Sequence, residues 1–259
     1  MKNILITGCN GYIASAIKYR LSNKYNLTCI TRDNFDLTNT QSLNQWFKDK
    51  EFDCVIHTAS VGGNRLVNDD KNILSDNLLM YENLYSNRNK FNQMIYFGSG
   101  ADSFDTPYGV SKKIIKESIN NTNKFFNIRI FAVFDSQEND RRFIKSSLTR
   151  YIKKQPIVIH QNKLMDFFYM EDLISIVDNY IMNNNGLKNI DCSYDYHLSL
   201  YTIANFINTL DNYTVPIEFL GSNEPAQNYI GEYCGIRGLI GLHDGIRITF
   251  NRLKSIIGV

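Results

Sequence analysis

Short apolar runs alternate with stretches of helical spacing through the first half of the chain. Asn3 to Thr7 is a β-branched run, and apolar residues recur after it at positions 13, 17 and 21, on one face of a helix. Because strand and helix patterns alternate from residue 3 to residue 134, we expect an α/β fold built on a doubly wound parallel sheet. The later strands are predicted at 27–32, 54–60 and 94–99, and the later helices at 42–50, at 69–89 and after Pro107.

The second half continues the pattern with shorter segments. It predicts amphipathic helices at 141–154 and 170–182 and a strand at 157–160. We expect these segments to build a smaller C-terminal α/β part beside the main sheet.

Composition argues against several classes of partner. A chain of 259 residues can bury a full core, and its formal net charge of +2 gives no sign of nucleic acid or an anionic membrane. The five cysteines have no CxxC or metal-ligand spacing, which favours reduced thiols, a cytoplasmic location and no bound metal. Since no apolar run approaches ~18 residues, we expect no membrane-spanning segment.

A glycine-rich turn links the first strand to the first helix. Residues 8–14 are GCNGYIA, with Gly8 and Gly11 in the turn and Ala14 where a small residue lets helix and strand pack. Such a turn brings backbone amides and the helix N-terminus close to a pyrophosphate. The position between a strand and a helix is the context that dinucleotide binding requires. The candidate cofactor-binding residues of this turn are Gly8, Asn10, Gly11, Tyr12 and Ile13.

The end of the second strand bears on the choice of cofactor. An acid there favours a free ribose 2′-hydroxyl, whereas a basic residue favours a 2′-phosphate. Arg32 comes first and Asp33 follows it, so NADP(H) is favoured over NAD(H), the alternative being a solvated surface pair.

The third strand ends in small residues that allow a cofactor close to the backbone, namely Thr58, Ala59 and Ser60. His57 lies inside the apolar run that precedes them, and we interpret it as a satisfied core histidine rather than a catalytic one.

Three side chains between residues 94 and 112 form a candidate catalytic set. Ser99 ends an apolar run, and Tyr108 and Lys112 lie four residues apart, on one face of a helix that starts after Pro107. A nearby ammonium makes a phenol, whose reference pKa is near ~10, a usable proton donor at neutral pH. With 16 tyrosines in the chain, one Tyr-x-x-x-Lys pair is expected by chance. This pair therefore gains its meaning from the dinucleotide-binding pattern before it.

Together these motifs resemble the extended short-chain dehydrogenase/reductase family, in particular its nucleotide-sugar epimerases, dehydratases and reductases. The resemblance implies a Rossmann-type fold and a catalytic Ser99, Tyr108 and Lys112. It also implies that Asp36 and Leu37 approach the adenine. The matching segments are ITGCNGYIASAI, FDLTNTQSLNQWF, DCVIHTASVGG, FGSGADSF, YGVSK, MDFFYMEDL and the closing GIRITFNRL. The cofactor-binding set that it implies also includes Asn77, Tyr108 and Lys112.

Departures from the family pattern bear on the reaction. A 4,6-dehydratase has an Asp-Glu pair where this chain has Gly100 and Ala101. The synthase that epimerises before reducing has a Cys and a later His where this chain has Ala101 and Arg142. Carbonyl reduction is the reaction that remains. Met165 stands where the family has an Arg. Ala132 stands where many members have an Asn that contacts the sugar or its phosphates, so the usual placement of the substrate is not expected to carry over unchanged.

The segment Val61-Gly62-Gly63 and the Arg32 strand end are most similar to the NADPH-dependent nucleotide-sugar 4-ketoreductases, such as GDP-fucose synthase and dTDP-4-keto-rhamnose reductase. Arg142 is a candidate diphosphate contact or, alternatively, half of an exposed basic pair with Arg141. Phe143 is a candidate stacking residue or a core aromatic. The candidate substrate-binding residues are Gly62, Ser99, Gly100, Ala132, Arg142 and Phe143.

We therefore predict an NADP(H)-dependent reductase of a 4-keto-6-deoxy nucleotide sugar, serving surface-polysaccharide biosynthesis. Two alternatives stay open: a 4-epimerase with tightly bound NAD, and an NAD(P)-binding regulator without turnover. An intact Ser, Tyr and Lys set argues against the regulator. A homodimer through the helices near 70–90 and 107–122 is expected from the resemblance alone. The predicted domains are a dinucleotide-binding domain at 1–136 with about 166–185, and a substrate-binding domain at 137–165 and 186–259.

Overall fold

The chain divides into two compact units. The structure is a computed structural model that describes residues 1–63, 72–183, 186–221 and 226–258. One unit consists of Met1–Arg129 and Ile174–Ile190, and the other of Ile130–Leu173 and Asp191–Val259. The assignment of cofactor binding to one domain and substrate binding to the other stays a prediction.

A six-stranded sheet is the centre of the first unit, and helices flank it. Its strands are β1 (Asn3–Thr7), β2 (Asn26–Ile30), β3 (Phe52–His57), β4 (Phe91–Ser99), β5 (Phe125–Ile130) and β9 (Asn189–Asp191). Its helices are α1 (Tyr12–Leu21), α2 (Thr40–Phe47), α3 (Ile73–Ser86), α4 (Pro107–Asn120) and α6 (Met170–Asn183), with 3₁₀ turns at Arg88–Lys90 and Gly100–Ser103.

The strand order is β2-β1-β3-β4-β5-β9. β1 pairs in parallel with both β2 and β3, and β3 pairs in parallel with β4. β2 therefore lies on one side of β1 and β3 on the other, so the connections after β1 and β2 run in opposite directions. This reversal opens a crevice at the carboxyl ends of β1 and β3. This topology confirms the predicted Rossmann-type, doubly wound sheet.

The central strands are buried on both faces, as their continuous apolar sequences require. Leu5, Val55 and Met94 lie in one core cluster with residues of α2, α3 and α4. Phe47 and Phe91 add aromatic contacts to it, with ring centroids 6.3 Å apart. Packing on both faces fixes the strand ends, and with them the crevice.

Several predicted boundaries were wrong by two or three residues. β2 ends at Ile30. β3 ends at His57, because the Thr58 hydroxyl donates to the Thr7 carbonyl and the chain leaves the sheet. α2 begins at Thr40, since the Asn39 side chain accepts a hydrogen bond from the Ser42 amide and caps the helix. The first residues of the helix predicted at 69–89 lie outside the described residues.

The second unit is a small α/β assembly, as predicted. β6 (Val133–Phe134), α5 (Phe143–Ile152), β7 (Ile157–Ile159), β8 (Phe168–Tyr169), α7 (Leu200–Ile207), β10 (Ile217–Phe219) and α8 (Leu242–Ile257) are its elements. β6 pairs with β8 and β7 with β10, both in parallel. The buried Asp172 carboxylate accepts hydrogen bonds from the Ile240 and Gly241 amides, which holds the start of α8. α5 begins at Phe143 rather than 141, because Arg142 has extended backbone angles.

Within the described ranges, none of the helices has the length and apolar character needed to cross a membrane.

Candidate active site

The turn between β1 and α1 is shaped to let a ligand approach the backbone. Gly8 has a φ of +71°, and a Cβ at this position would lie 2.8 Å from the Ala59 Cα. The Gly11 amide donates to the Gly8 carbonyl at 2.8 Å, which closes the turn directly before α1. Only glycine fits the conformation and the close approach at position 8. The turn therefore fits the pyrophosphate of a dinucleotide at the helix N-terminus.

A cavity of about 310 Å³ opens beside this turn. Nine of the predicted cofactor-binding residues line it: Gly8, Asn10, Gly11, Arg32, Asp36, Leu37, Thr58, Ala59 and Ser60. Phe35, Asp76 and Met80 also line it, and sequence reasoning missed them. Tyr12 and Ile13 form the first turn of α1 and do not line it.

Charged groups gather at one end of the cavity. Arg32 is exposed two residues beyond β2, and the Asp33 carboxylate accepts a hydrogen bond from the Asn10 amide at 3.2 Å. Asp36 accepts hydrogen bonds from the Thr38 amide and hydroxyl, and these bonds lower the pKa of its carboxyl, with a smaller contribution from Arg32. Both an acid and a base are therefore available to a ribose at this end.

His57 forms part of the wall behind the cavity. Its Nδ1 and the Thr7 hydroxyl share a hydrogen bond of 2.8 Å, and the Thr7 hydroxyl also accepts from the Ala59 amide. Burial, and secondarily the Lys112 charge, lowers the pKa of His57 to about 3, so the ring is neutral at physiological pH. The geometry is that of a satisfied core histidine.

Asn77 on α3 fixes the loop that follows β3. Its side-chain oxygen accepts from the Val61 amide at 2.9 Å, and its nitrogen donates to the Val61 carbonyl at 2.9 Å and to the Ser111 hydroxyl at 3.3 Å. The Ser111 hydroxyl in turn donates to the Tyr108 carbonyl. Asn77 thus links the loop to α4 and positions the cavity rather than lining it.

Ser99 and Tyr108 lie at the carboxyl end of β4 and the start of α4. Ser99 is buried, and its hydroxyl accepts a hydrogen bond from the Ala101 amide at 3.2 Å. The Thr106 side chain caps α4 by accepting from the Gly109 amide, and Pro107 occupies the first turn. Position 63 lies against the Tyr108 ring, because a Cβ there would be 2.7 Å from Tyr108 Cζ.

Gly109 is a functional position that sequence reasoning missed. A Cβ there would lie 2.3 Å from the carbonyl oxygens of both Ala101 and Phe104. Glycine is therefore needed for the first turn of α4 to pack on the turn that follows Ser99. Its place directly after Tyr108 was the available signal.

Lys112 is the most deeply buried member of the set, with 4 % of its surface exposed. Its Nζ donates to the Phe97 carbonyl at 2.9 Å and lies 5.3 Å from the centroid of the Tyr108 ring. Burial lowers the pKa of this ammonium to about 7. The structure thus brings the predicted tyrosine and lysine together, in an apolar site that disfavours the lysine's charge.

The predicted substrate residues fall in two groups. Gly62, Ser99 and Gly100 belong to the first unit, and Ala132, Arg142 and Phe143 to the second. Ala132 is buried and its carbonyl accepts from the Phe168 amide. Arg142 is exposed at the N-terminus of α5, and the Phe143 ring packs on Phe167 with centroids 5.8 Å apart.

The sequence pattern of the NAD-dependent epimerase/dehydratase family matches residues 4–191. The chain belongs to this family. Membership confirms the predicted class, an enzyme that works with a nicotinamide dinucleotide, and the turn and cavity described above fit such a ligand. Among curated protein sequences, none matches the chain.

Solved structures with the same fold include enzymes of more than one reaction type. A GDP-D-glycero-L-gluco-heptose synthase from Campylobacter jejuni, determined in the presence of NADPH, has a TM-score of 0.80 at 16% identity, over 98% of both chains. A GDP-mannoheptose C4 reductase from the same organism, with NADP bound, has a TM-score of 0.78 at 16% identity, also over 98% of both. A UDP-glucuronic acid 4-epimerase from Bacillus cereus, in complex with UDP-glucuronic acid and NAD, has a TM-score of 0.76 at 18% identity, over 98% of this chain and 99% of that one.

Burial of Lys112 predicts a distinct dependence of stability on pH. The folded chain releases this proton near pH 7, whereas the unfolded chain holds it to about pH 10. Because the unfolded state binds more protons between these values, the Lys112 contribution to stability rises with pH across that window. Relative to Lys112→Met, the wild-type free energy of unfolding should increase by on the order of 3 kcal/mol from pH 7 to pH 10.

Urea denaturation of both proteins across this pH range measures the difference. The exposed variant Lys113→Met is the control and should follow the wild type. Parallel curves for wild type and Lys112→Met would contradict the assigned burial of the charge.

Proposed function

We propose that the protein is an NADP(H)-dependent reductase of a 4-keto-6-deoxy nucleotide sugar. The observation that carries this proposal is the buried Lys112 beside the Tyr108 ring, one helical turn along α4 and next to the end of the strand that bears Ser99. Such a set suits proton delivery to a carbonyl oxygen.

We assign proton transfer to Tyr108, orientation of the carbonyl oxygen to Ser99 and charge stabilisation to Lys112. Tyr108 donates its phenolic proton to the carbonyl oxygen, and the Ser99 hydroxyl holds that oxygen by a hydrogen bond. The Lys112 ammonium stabilises the phenolate that the transfer leaves. A reduced nicotinamide dinucleotide, when bound, supplies the hydride to the carbonyl carbon.

The turn after Ser99 argues against elimination of water. Gly100 and Ala101 carry no acid, base or thiol, and the next residue, Asp102, is already engaged. Its carboxylate accepts two hydrogen bonds from Arg129, at 2.6 and 3.0 Å, and lies 3.5 Å from the Lys116 ammonium. Because Gly100 and Ala101 offer no acid or base and Asp102 is already paired with two cations, reduction is the chemistry that we favour.

We assign the residues around the cavity to the parts of the dinucleotide. Gly8, Asn10, Gly11, Tyr12 and Ile13 bind the pyrophosphate, and Arg32 binds the 2′-phosphate of NADP(H). Asp36 and Leu37 contact the adenine. Thr58, Ala59, Ser60, Tyr108 and Lys112 bind the nicotinamide half, and Asn77 holds their loop.

Two observations support a nucleotide sugar as the substrate: the ligands named for the structural neighbours, and the position of Arg142. The Campylobacter synthase and reductase act on GDP-linked sugars, and the Bacillus epimerase on a UDP-linked one. We propose Gly62, Ser99 and Gly100 as the substrate-binding residues of the first unit. For the second unit we propose Ala132, Arg142 and Phe143 as substrate-binding residues. Arg142, at the N-terminus of a ten-residue helix, suits a diphosphate.

A nucleotide-sugar 4-epimerase is the second candidate, because enzymes of that activity with NAD share the fold. A panel of 4-keto sugars on different nucleotides, each mixed with NADPH or NADH, separates the two. Net oxidation of NADPH with one of them supports the reductase. Interconversion of a sugar without a keto group and without net cofactor use would contradict it.

Replacing Tyr108 by Phe should abolish the proton donor and keep the fold. We expect kcat/KM for the keto sugar to fall by at least ~10²-fold, because general acid catalysis contributes about 10²- to 10⁴-fold. The dissociation constant for NADPH, measured by fluorescence titration, should change little. Tyr19→Phe, at a ring that is 82% exposed, is the control. Wild-type turnover in Tyr108→Phe would overturn the catalytic assignment.

Replacing Arg32 by Ala should weaken the binding of NADPH but not that of NADH. A charge-assisted hydrogen bond is worth about 1.5–3 kcal/mol, so KM for NADPH should rise by roughly tenfold or more while KM for NADH stays nearly constant. Asp33→Ala is the matched variant at the adjacent position. If Asp33→Ala instead raises KM for NADH, and Arg32→Ala leaves KM for NADPH unchanged, Asp33 is the residue that binds the ribose and the enzyme prefers NAD.

We also propose that the protein is a homodimer through α3 and α4. The open groove between these helices is lined by Leu78, Leu79, Tyr81, Ile114 and Ile115, together with Ser75, Glu82 and Ser118. Leu79 is 39% and Ile114 45% exposed. Sedimentation velocity should show a dimer, and Leu79→Glu with Ile114→Glu should yield a monomer because the charges would be buried unpaired. Met182→Glu, at a 50% exposed residue of α6, should remain dimeric. A monomeric wild type would contradict the proposal.

A further inference from the structure

The Lys112 ammonium lies in a site where few groups stabilise its charge. Its hydrogen bond goes to the neutral Phe97 carbonyl, at 2.9 Å. Burial disfavours the charged form, as the lowered pKa of about 7 indicates. Among the described residues, the ammonium also faces the π surfaces of two tyrosine rings, Tyr108 and Tyr96.

Tyr96 offers the closer of the two faces. Its ring centroid is 4.6 Å from Lys112 Nζ, against 5.3 Å for Tyr108. The ring is 1% exposed and is held from two sides, by Tyr81 with centroids 6.1 Å apart and by His57 at 5.7 Å. A cation within ~6 Å of a desolvated aromatic centroid gains more than it does at a surface.

We propose that Tyr96 is a positioning residue of the active site, whose π face keeps the Lys112 ammonium charged and directed toward Tyr108. The inference rests on the proposed role of Lys112 as the cation that supports proton transfer by Tyr108. It adds a buried residue three positions before Ser99 on β4.

The ring, and not the hydroxyl, carries this role. The Tyr96 hydroxyl is buried and has no hydrogen-bond partner within the part of the chain that the structure describes. Burial also raises the pKa of the Tyr96 phenol well above its usual value, so it stays neutral and supplies no counter-charge. The attraction therefore comes from the ring's quadrupole.

Other titratable groups around this site do not replace the ring. His57 on β3 is neutral near pH 7, and Tyr81 on α3 donates its hydroxyl to Ser118. Asp102, in the turn after Ser99, is paired with Arg129 and Lys116. Tyr108, on the same helix as Lys112, also faces the ammonium, and it is the proposed proton donor.

The test weakens the π face of residue 96 without changing its size. Phe, 3,5-difluorophenylalanine and 3,4,5-trifluorophenylalanine replace Tyr96 in the full chain, and the Lys112 titration is followed by NMR of ¹³Cε-labelled lysine in the absence of cofactor. The spectrum of Lys112→Met assigns the signal. Because fluorine withdraws electron density from the ring, the pKa of Lys112 should fall stepwise, by about one pH unit over the series.

The Tyr96→Phe variant should titrate like the wild type, since it keeps the ring. The same fluorinated series at Tyr85, whose ring lies 4.5 Å from the Arg88 guanidinium, is the matched control and should leave Lys112 unchanged. A pKa that is constant along the series at position 96 would overturn the proposal. So would a full shift, or a loss of folding, in Tyr96→Phe, because either would assign the role to the hydroxyl.

A second readout links the titration to turnover. In the reduction of a keto sugar, kcat/KM should decline as Lys112 loses its proton, and the trifluorinated variant should begin this decline about one pH unit lower than Tyr96→Phe. The NMR titration needs neither cofactor nor substrate. If the pKa of Lys112 falls along the fluorinated series but no reductase activity is found, only the proposed function is contradicted. If the enzyme is active but the pKa of Lys112 stays constant, only the role of Tyr96 is contradicted.

Discussion

The side-chain amide of Asn77 is the interaction on which the site's geometry depends. It satisfies both the amide and the carbonyl of Val61, and it reaches Ser111 on the helix that carries the tyrosine and lysine. An unsatisfied buried backbone group costs about 1–3 kcal/mol, so loss of this amide would release the loop after β3 from α4. That loop brings Gly63 against the Tyr108 ring. One buried amide thus joins the loop after β3 to the helix that carries the proposed proton donor.

Much of the fold follows from local sequence. In the β1 run, the glycine turn and the helix after it, residue propensities, apolar spacing and turn residues all indicate the same elements. The structure has strand, turn and helix at these residues. Strand ends were harder, because Ile30 and His57 are followed by residues that look equally suited to a strand. β3 ends because the Thr58 hydroxyl donates to the carbonyl of Thr7, a residue on another strand. Such tertiary hydrogen bonds leave no periodic signal.

The site was predictable to the extent that its residues follow one another in the chain. Tyr108 and Lys112 lie on one helix, so their spacing already predicts proximity. The contact between Lys112 and Tyr96 joins a helix to a strand, and neither residue has a sequence neighbour that indicates it. The depth of Lys112 is likewise a property of packing, since its neighbour Lys113 in the same helix is exposed. The Lys112–Tyr96 contact and the burial of Lys112 were not predicted because the residues that cause them are distant in sequence.

Burial of the Lys112 ammonium has a consequence for binding itself. With a pKa of about 7, this group is about half protonated in the free protein at neutral pH. An anion that binds beside it favours the charged form, and so draws a proton from solution as it binds. The heat of association would then depend on the ionisation enthalpy of the buffer. The affinity for such an anion would fall with rising pH, because Lys112 loses the proton that the bound anion requires.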